Sequence, residues 1–195
     1  MNRRMPRLCI AFLLLLAGCM APSVPKEQFF RLIAVPATRP LDKPLNGVLE
    51  VPPFTTDGVL AERPLLFSAN DGQKLEQRNY AYWSDSPRQM LRDELVSYLR
   101  SAKAAPQIVP SELRLDAKYV LKGTLYRLEQ RANPNSAVIE IEFSLIEEDT
   151  NRLITSKVFR AEEPAATGDI DDAVKALNTG MNRIFQDVAA MIGQH

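Results

Sequence analysis

Residues 137–147 read Ala137-Val138-Ile139-Glu140-Ile141-Glu142-Phe143-Ser144-Leu145-Ile146-Glu147. Ile139, Ile141, Phe143 and Leu145 alternate with Val138, Glu140, Glu142 and Ser144, the period of two that sends successive side chains to opposite faces of a strand. One face is mostly apolar and the other polar, as in a sheet with one side on a core and one side in water. Upstream, Lys118 to Gln130 reads as a second strand, joined to the first through the turn-rich Ala132-Asn133-Pro134-Asn135-Ser136. Downstream, Asp149-Thr150-Asn151 turns the chain into a third strand from Leu153 to Ala161. Connections this short predict an antiparallel meander.

Further out the period changes from two to 3.6. Ile170, Ala173, Val174, Leu177, Met181, Ile184, Phe185, Val188 and Ile192 form a continuous helical stripe. Asp169 is placed to cap it, and Asp171 and Asp172 favour its positive N-terminal end. An earlier helix begins at Ser86, with Pro87 at the first helical position and Gln89 completing a capping box. Its stripe is Leu91, Leu95, Tyr98, Leu99 and Ala102. Both stripes read as core-facing. The opposite face of the last helix is mixed rather than basic, which argues against a helix lying on a membrane.

The N-terminal half is built of shorter pieces. Phe29 to Val35 reads as a strand, followed by a loop punctuated by Pro36, Pro40 and Pro44. Gly47 to Val51 is a second strand, ended by Pro52-Pro53 because proline cannot donate to a ladder. Leu65 to Ser68 and Leu75 to Trp83 flank Asn70-Asp71-Gly72, which predicts a hairpin. The expected fold is α+β: a single domain with a mostly antiparallel sheet and two amphipathic helices packed on one face.

The first eighteen residues are of another kind. Arg3, Arg4 and Arg7 give a positive start, Leu8 to Ala17 is apolar, and the small pair Ala17-Gly18 precedes Cys19, the pattern of a secretory signal. The apolar run falls short of the roughly 17–25 residues that cross a bilayer. Leu16-Ala17-Gly18-Cys19 resembles the lipobox of bacterial lipoproteins, which implies that Cys19 becomes a lipid-carrying N-terminus. Two or more acyl chains anchor stably, each buried methylene adding ~0.8 kcal/mol. The expected organisation is residues 1–18 as signal peptide, 19–28 as lipidated N-terminus and leash, and 29–195 as the domain. Pro22 and Pro25 keep the leash extended at ~3.1 Å per residue, so the domain stays within about 30 Å of the membrane. Met20 stands where enteric-type lipoproteins retained in the inner membrane carry an aspartate. By that analogy the anchor lies in the inner leaflet of the outer membrane and the domain faces the periplasm.

Of 195 residues, 24 are Lys or Arg and 24 are Asp or Glu. Loss of the signal removes arginines and no acids, leaving the mature chain slightly acidic, with no basic patch to suggest a nucleic-acid partner. Cys9 leaves with the signal and Cys19 is acylated, so the domain holds no disulfide. His195 is the only histidine, so cysteine–histidine metal sites and histidine triads are excluded by count. No phosphate-cradling glycine loop and no Gly-x-Ser-x-Gly elbow occurs, and no cofactor is expected. Glu147-Glu148-Asp149 and Glu162-Glu163 read as solvated turn acids. Tyr80 and Tyr82 share one face of their strand and Trp83 the other. One side is therefore core, and Tyr80 and Tyr82 are the candidate partner-binding residues.

Several segments together resemble the ABC-type transport auxiliary lipoproteins. They are Phe29-Phe30-Arg31-Leu32 after the lipobox, Glu62-Arg63-Pro64-Leu65, Tyr80-Ala81-Tyr82-Trp83-Ser84-Asp85-Ser86-Pro87 running on through Met90-Leu91 and Leu95 to Leu99, Tyr119-Val120-Leu121-Lys122-Gly123, and the Glu147-Asp149-Thr150 turn. The resemblance implies work with an MCE-domain (mammalian cell entry) protein and an inner-membrane ABC transporter that move phospholipids or other hydrophobic molecules between membranes. It implies a docking role without catalysis, and it raises a ring-shaped homo-oligomer as a hypothesis. Two other readings stand beside it. One is a structural or assembly lipoprotein of the envelope, serving secretion or lipopolysaccharide assembly. The other is a lipid-anchored hydrolase, in which a carboxylate such as Glu140 or Glu142 would be essential.

Overall fold

A computed structural model describes residues 25–69 and 72–195. The signal peptide, Cys19 and the first two residues of the Asn70-Asp71-Gly72 turn lie outside the described residues. The meander is built as its alternation predicts. Strands β6 (Tyr119–Arg131), β7 (Ser136–Glu147) and β8 (Arg152–Pro164) pair antiparallel along almost their whole lengths. Ile139, Ile141, Phe143 and Leu145 are buried, while Glu140, Glu142 and Ser144 are only partly covered on the opposite face. The β7–β8 turn puts Asn151 at φ +48°, a left-handed conformation that asparagine tolerates better than most residues.

The remaining strands attach along the other edge of β6, which forks. Near its start β6 pairs in parallel with β2 (Val48–Val51), and β2 in turn with β5 (Gln107–Pro110). Near its end it pairs in parallel with β3 (Pro64–Ala69), which forms the expected hairpin with β4 (Lys74–Trp83). Strand β1 (Gln28–Phe30) completes that arm in parallel with β4. Between the arms, Thr55 makes one bridge to Thr124. Long antiparallel ladders thus supply most of the pairing, and short parallel strands extend it. Strand β5 has no counterpart in the sequence reading, because its four residues are too few to show a period.

Helix α1 (Pro87–Ser101) and helix α2 (Ile170–Ile192) join one core on the apolar face of this sheet. Leu91, Leu95, Tyr98, Leu99 and Ala102 are all buried, as is the α2 stripe from Ala173 through Ile192. The capping box before α1 does not form. The Ser86 Oγ is buried without a partner, and the Gln89 side chain reaches forward to Asp93 instead. Two close approaches set the spacing of the layers. On α2, a Cβ at Gly180 would lie 3.0 Å from the Ala161 Cβ of β8. In β6, Gly123 lies directly under the Phe54 ring, which meets Phe143 edge-on at 5.4 Å.

The expected first strand, Phe29 to Val35, is a correction. Only Gln28–Phe30 enters the sheet. From Arg31 to Ala37 the chain is a strap crossing both helices, its backbone satisfied by helix side chains rather than by a ladder. Ile33 N–H donates to Asn178 Oδ1 at 2.6 Å and Val35 N–H to Asn182 Oδ1 at 2.7 Å. Both asparagine amides also lean back toward strap carbonyls, Asn178 Nδ2 to Arg31 O at 3.5 Å and Asn182 Nδ2 to Ile33 O at 3.3 Å. From α1, Glu94 Oε2 accepts from Ala34 N–H at 2.6 Å and Ser101 Oγ from Ala37 N–H at 2.8 Å. Two asparagines one helical turn apart stand in for a neighbouring strand, so the apolar run looks like a strand in sequence without being one.

Candidate partner surface

Strand β4 positions the candidate tyrosines through a break in its pairing. Leu66 lies opposite Gln77, but the next pair is Pro64 with Tyr82, so residues 78–81 bulge against a single residue of β3. The bulge places Tyr80 at φ +60°, a region costly for a bulky side chain and one that often accompanies functional surfaces. Beyond it the alternation resumes. Ala81 and Trp83 enter the core, Trp83 at 1% exposure, while Tyr80 is 40% exposed and Tyr82 half-buried. The sequence reading placed Trp83 opposite the tyrosines, and the structure agrees.

Strand β1 adds a residue that the sequence reading did not single out for binding. Phe29 sits beside Tyr82 in the parallel register, with ring centroids 5.9 Å apart, and is 56% exposed. Above Phe29, 5.6 Å from its centroid, lies the Arg63 guanidinium. Arg63 is held by donating from Nε to the Trp83 carbonyl at 3.1 Å. The signal that could have found this group is the aromatic pair directly after the leash, which pattern reading absorbed into a core strand. Strand β1 pairs on one side only among the described residues, so rings and open backbone share one edge. Aromatic side chains beside an unpaired strand suit docking of another polypeptide by strand addition.

The carboxylates suggested for a hydrolase stand elsewhere. Glu142 accepts from Tyr126 Oη at 2.6 Å and Ser156 Oγ at 2.7 Å, and Glu140 faces Arg160 at 3.4 Å, all on the wet face of the meander. The Tyr126 hydrogen bond, then that of Ser156, holds the Glu142 carboxyl below the usual range, so it stays ionised at neutral pH and is unsuited to donate a proton. Among the described residues no group of three or more His, Cys, Asp or Glu is placed to hold a metal ion, and no helix is long and apolar enough to cross a membrane. The space between α2 and the β3–β4 arm, lined by Leu65, Trp83, Leu128, Ile170 and Leu177, amounts to about 10 Å³. That is room for about one water, so this part of the core is filled rather than hollowed for a lipid.

A family model described as "ABC-type transport auxiliary lipoprotein component" matches residues 30–189. A comparison with curated proteins gives no match. Among solved structures, a protein from Xanthomonas campestris superposes with a TM-score of 0.74 at 15% identity, over 86% of this chain and 97% of that one. An uncharacterized protein superposes at 0.69 with 21% identity, over 86% and 99%. A hypothetical protein from Chlamydia trachomatis superposes at 0.54 with 12% identity, over 76% and 96%. At these identities the likeness speaks for the shared fold.

Proposed function

The chain belongs to the ABC-type transport auxiliary lipoprotein family, and from that premise we propose that it is a non-catalytic docking component of an intermembrane (phospho)lipid transport system. In this reading residues 1–18 are removed, Cys19 carries the lipid, residues 19–28 are the leash, and the domain from residue 29 faces the periplasm from the inner leaflet of the outer membrane. Its partner is the MCE-domain protein of the system, and the docking surface is the edge formed by Tyr80, Tyr82 and Phe29.

The observation that carries this reading is the position of that edge. The exposed ring of Phe29 packs at a tilt against Tyr82 at the point where the leash enters the domain. An anchored domain explores only a thin layer, so a contact of modest affinity with a partner reaching across the periplasm is still occupied. The outer edges of β5 and β8, unpaired among the described residues, also leave room for copies of the chain to associate, and a homo-oligomer is part of the proposal. A monodisperse monomer by light scattering in detergent, at high concentration, would remove that part.

The test is affinity isolation from crosslinked envelopes, comparing the wild type with Cys19→Ala. Recovery of an MCE-domain protein by the wild type, reduced in the variant, supports the proposal. Recovery of secretion or barrel-assembly components in its place transfers the chain to envelope assembly.

A further inference from the structure

The outward side of the strap differs from the surface around it. Leu32 is fully buried and Phe30 and Ala34 are half-buried, whereas Arg31, Ile33 and Val35 are exposed, the latter two at 62% and 63%. Neighbouring β-branched apolar side chains on a solvent face need an explanation when they are rigidly held. These two are. Their own N–H groups are the ones claimed by Asn178 and Asn182, and those of Ala34 and Ala37 are claimed from the other helix.

Ile33 and Val35 border an open hollow of about 590 Å³, shared with Asn178, Thr179, Asn182, Arg183 and Gln186. A second hollow beside Val35 includes Arg39. Among the described residues neither hollow is lined by a carboxylate, although Arg183 itself forms an ion pair with Glu163 of β8 at 2.8 Å and Glu94 accepts from the Ala34 N–H. Apolar side chains flanked by Arg31 and Arg39, both exposed and without an ion pair among the described residues, match the boundary between headgroups and acyl chains. There an arginine keeps its charge among phosphates while its stem lies along apolar surface. Only the short strand β1 separates the strap from the leash, and the leash spans about 30 Å at most.

We propose that the Ile33–Val35 face of the strap is a second, weak contact with the phospholipid surface of the leaflet that holds Cys19. The inference rests on the lipid anchor put forward above. One acyl anchor on a leash leaves a domain free to tumble, and a second contact beside the leash fixes which way it faces. That orientation leaves the open face of the meander, opposite the helices, turned away from the bilayer.

The test uses the full lipidated chain in vesicles of phosphatidylethanolamine and phosphatidylglycerol carrying nitroxide-labelled lipid. Acylation consumes Cys19, so Ile33→Cys offers one thiol for an environment-sensitive fluorophore. Leu153→Cys, at an exposed position on β8, is the control. The proposal expects the fluorophore at 33 to be quenched about twofold more than at 153. Equal quenching at the two positions, in protein whose mass shows diacylglyceryl on Cys19, overturns the contact and leaves the anchor standing. A mass without lipid on Cys19 overturns the anchor and the contact with it. A fluorophore at 33 that responds only when the MCE-domain protein is added assigns the face to protein and overturns the lipid contact.

Discussion

Glu50 lies on β2 where the sheet forks, between Val109 of β5 and Val120 of β6. Burial first, then the nearby Glu148 and Glu112, push its carboxyl above the usual range. A carboxyl whose folded pKa exceeds its unfolded one binds its proton more tightly in the native state, so stability falls as pH rises through that window. Replacing Glu50 with Gln therefore raises the melting temperature at pH 7, and the gain disappears below about pH 4, where the glutamate is protonated in both states. A melt series across pH reads this directly. The strap asparagines act in the other direction. Asn178→Ala or Asn182→Ala each removes one side-chain acceptor from a strap N–H and is expected to cost about 1 kcal/mol. The denaturation midpoint gives the loss, and faster hydrogen exchange at Ile33 or Val35 locates it on the strap. None of this was legible in the sequence. Glu50 looked like any strand acid, and asparagines on the polar face of a helix carry no sign of which backbone they will meet.

Elements were legible where the period ran long enough. The eleven-residue alternation around Phe143 and the helical stripes from Leu91 and Ile170 give correct strands and helices, because burial on one face dictates both pattern and structure. The failures have physical causes. Phe29 to Val35 is an apolar run broken only by Arg31, but only its first two residues join β1, and the rest is satisfied by helix side chains. Ser86 and Gln89 have the residue types of a capping box, yet the Ser86 hydroxyl makes no cap hydrogen bond and Gln89 reaches Asp93 instead. The parallel attachment of the short strands is invisible to alternation, which fixes faces and not directions. Packing between elements gives its own prediction. An alanine Cβ at Gly123 would come within 2.8 Å of the Phe54 ring, and Phe54 is wedged against Phe143 with 1% exposure. Gly123→Ala is expected to destabilise by about 1–3 kcal/mol, measured as a shift in denaturation midpoint without loss of helical signal.

At the scale of the whole molecule, both helices and the apolar face of the sheet close one core. The space between α2 and the β3–β4 arm is filled, and the aromatic group at Phe29, Tyr80 and Tyr82 sits on an open edge beside the leash. The sequence reading singled out both tyrosines and not Phe29, since a three-residue parallel strand was needed to set Phe29 beside Tyr82. In the proposed reading this edge docks an MCE-domain protein while Cys19 holds the chain to its membrane. The most direct measurement replaces Tyr82 with a photo-crosslinking phenylalanine analogue and irradiates intact envelopes. An adduct with the MCE-domain protein that weakens with Cys19→Ala is the predicted result. An adduct with secretion or barrel-assembly proteins, or an equally strong MCE adduct from the same analogue at Leu153, would contradict it.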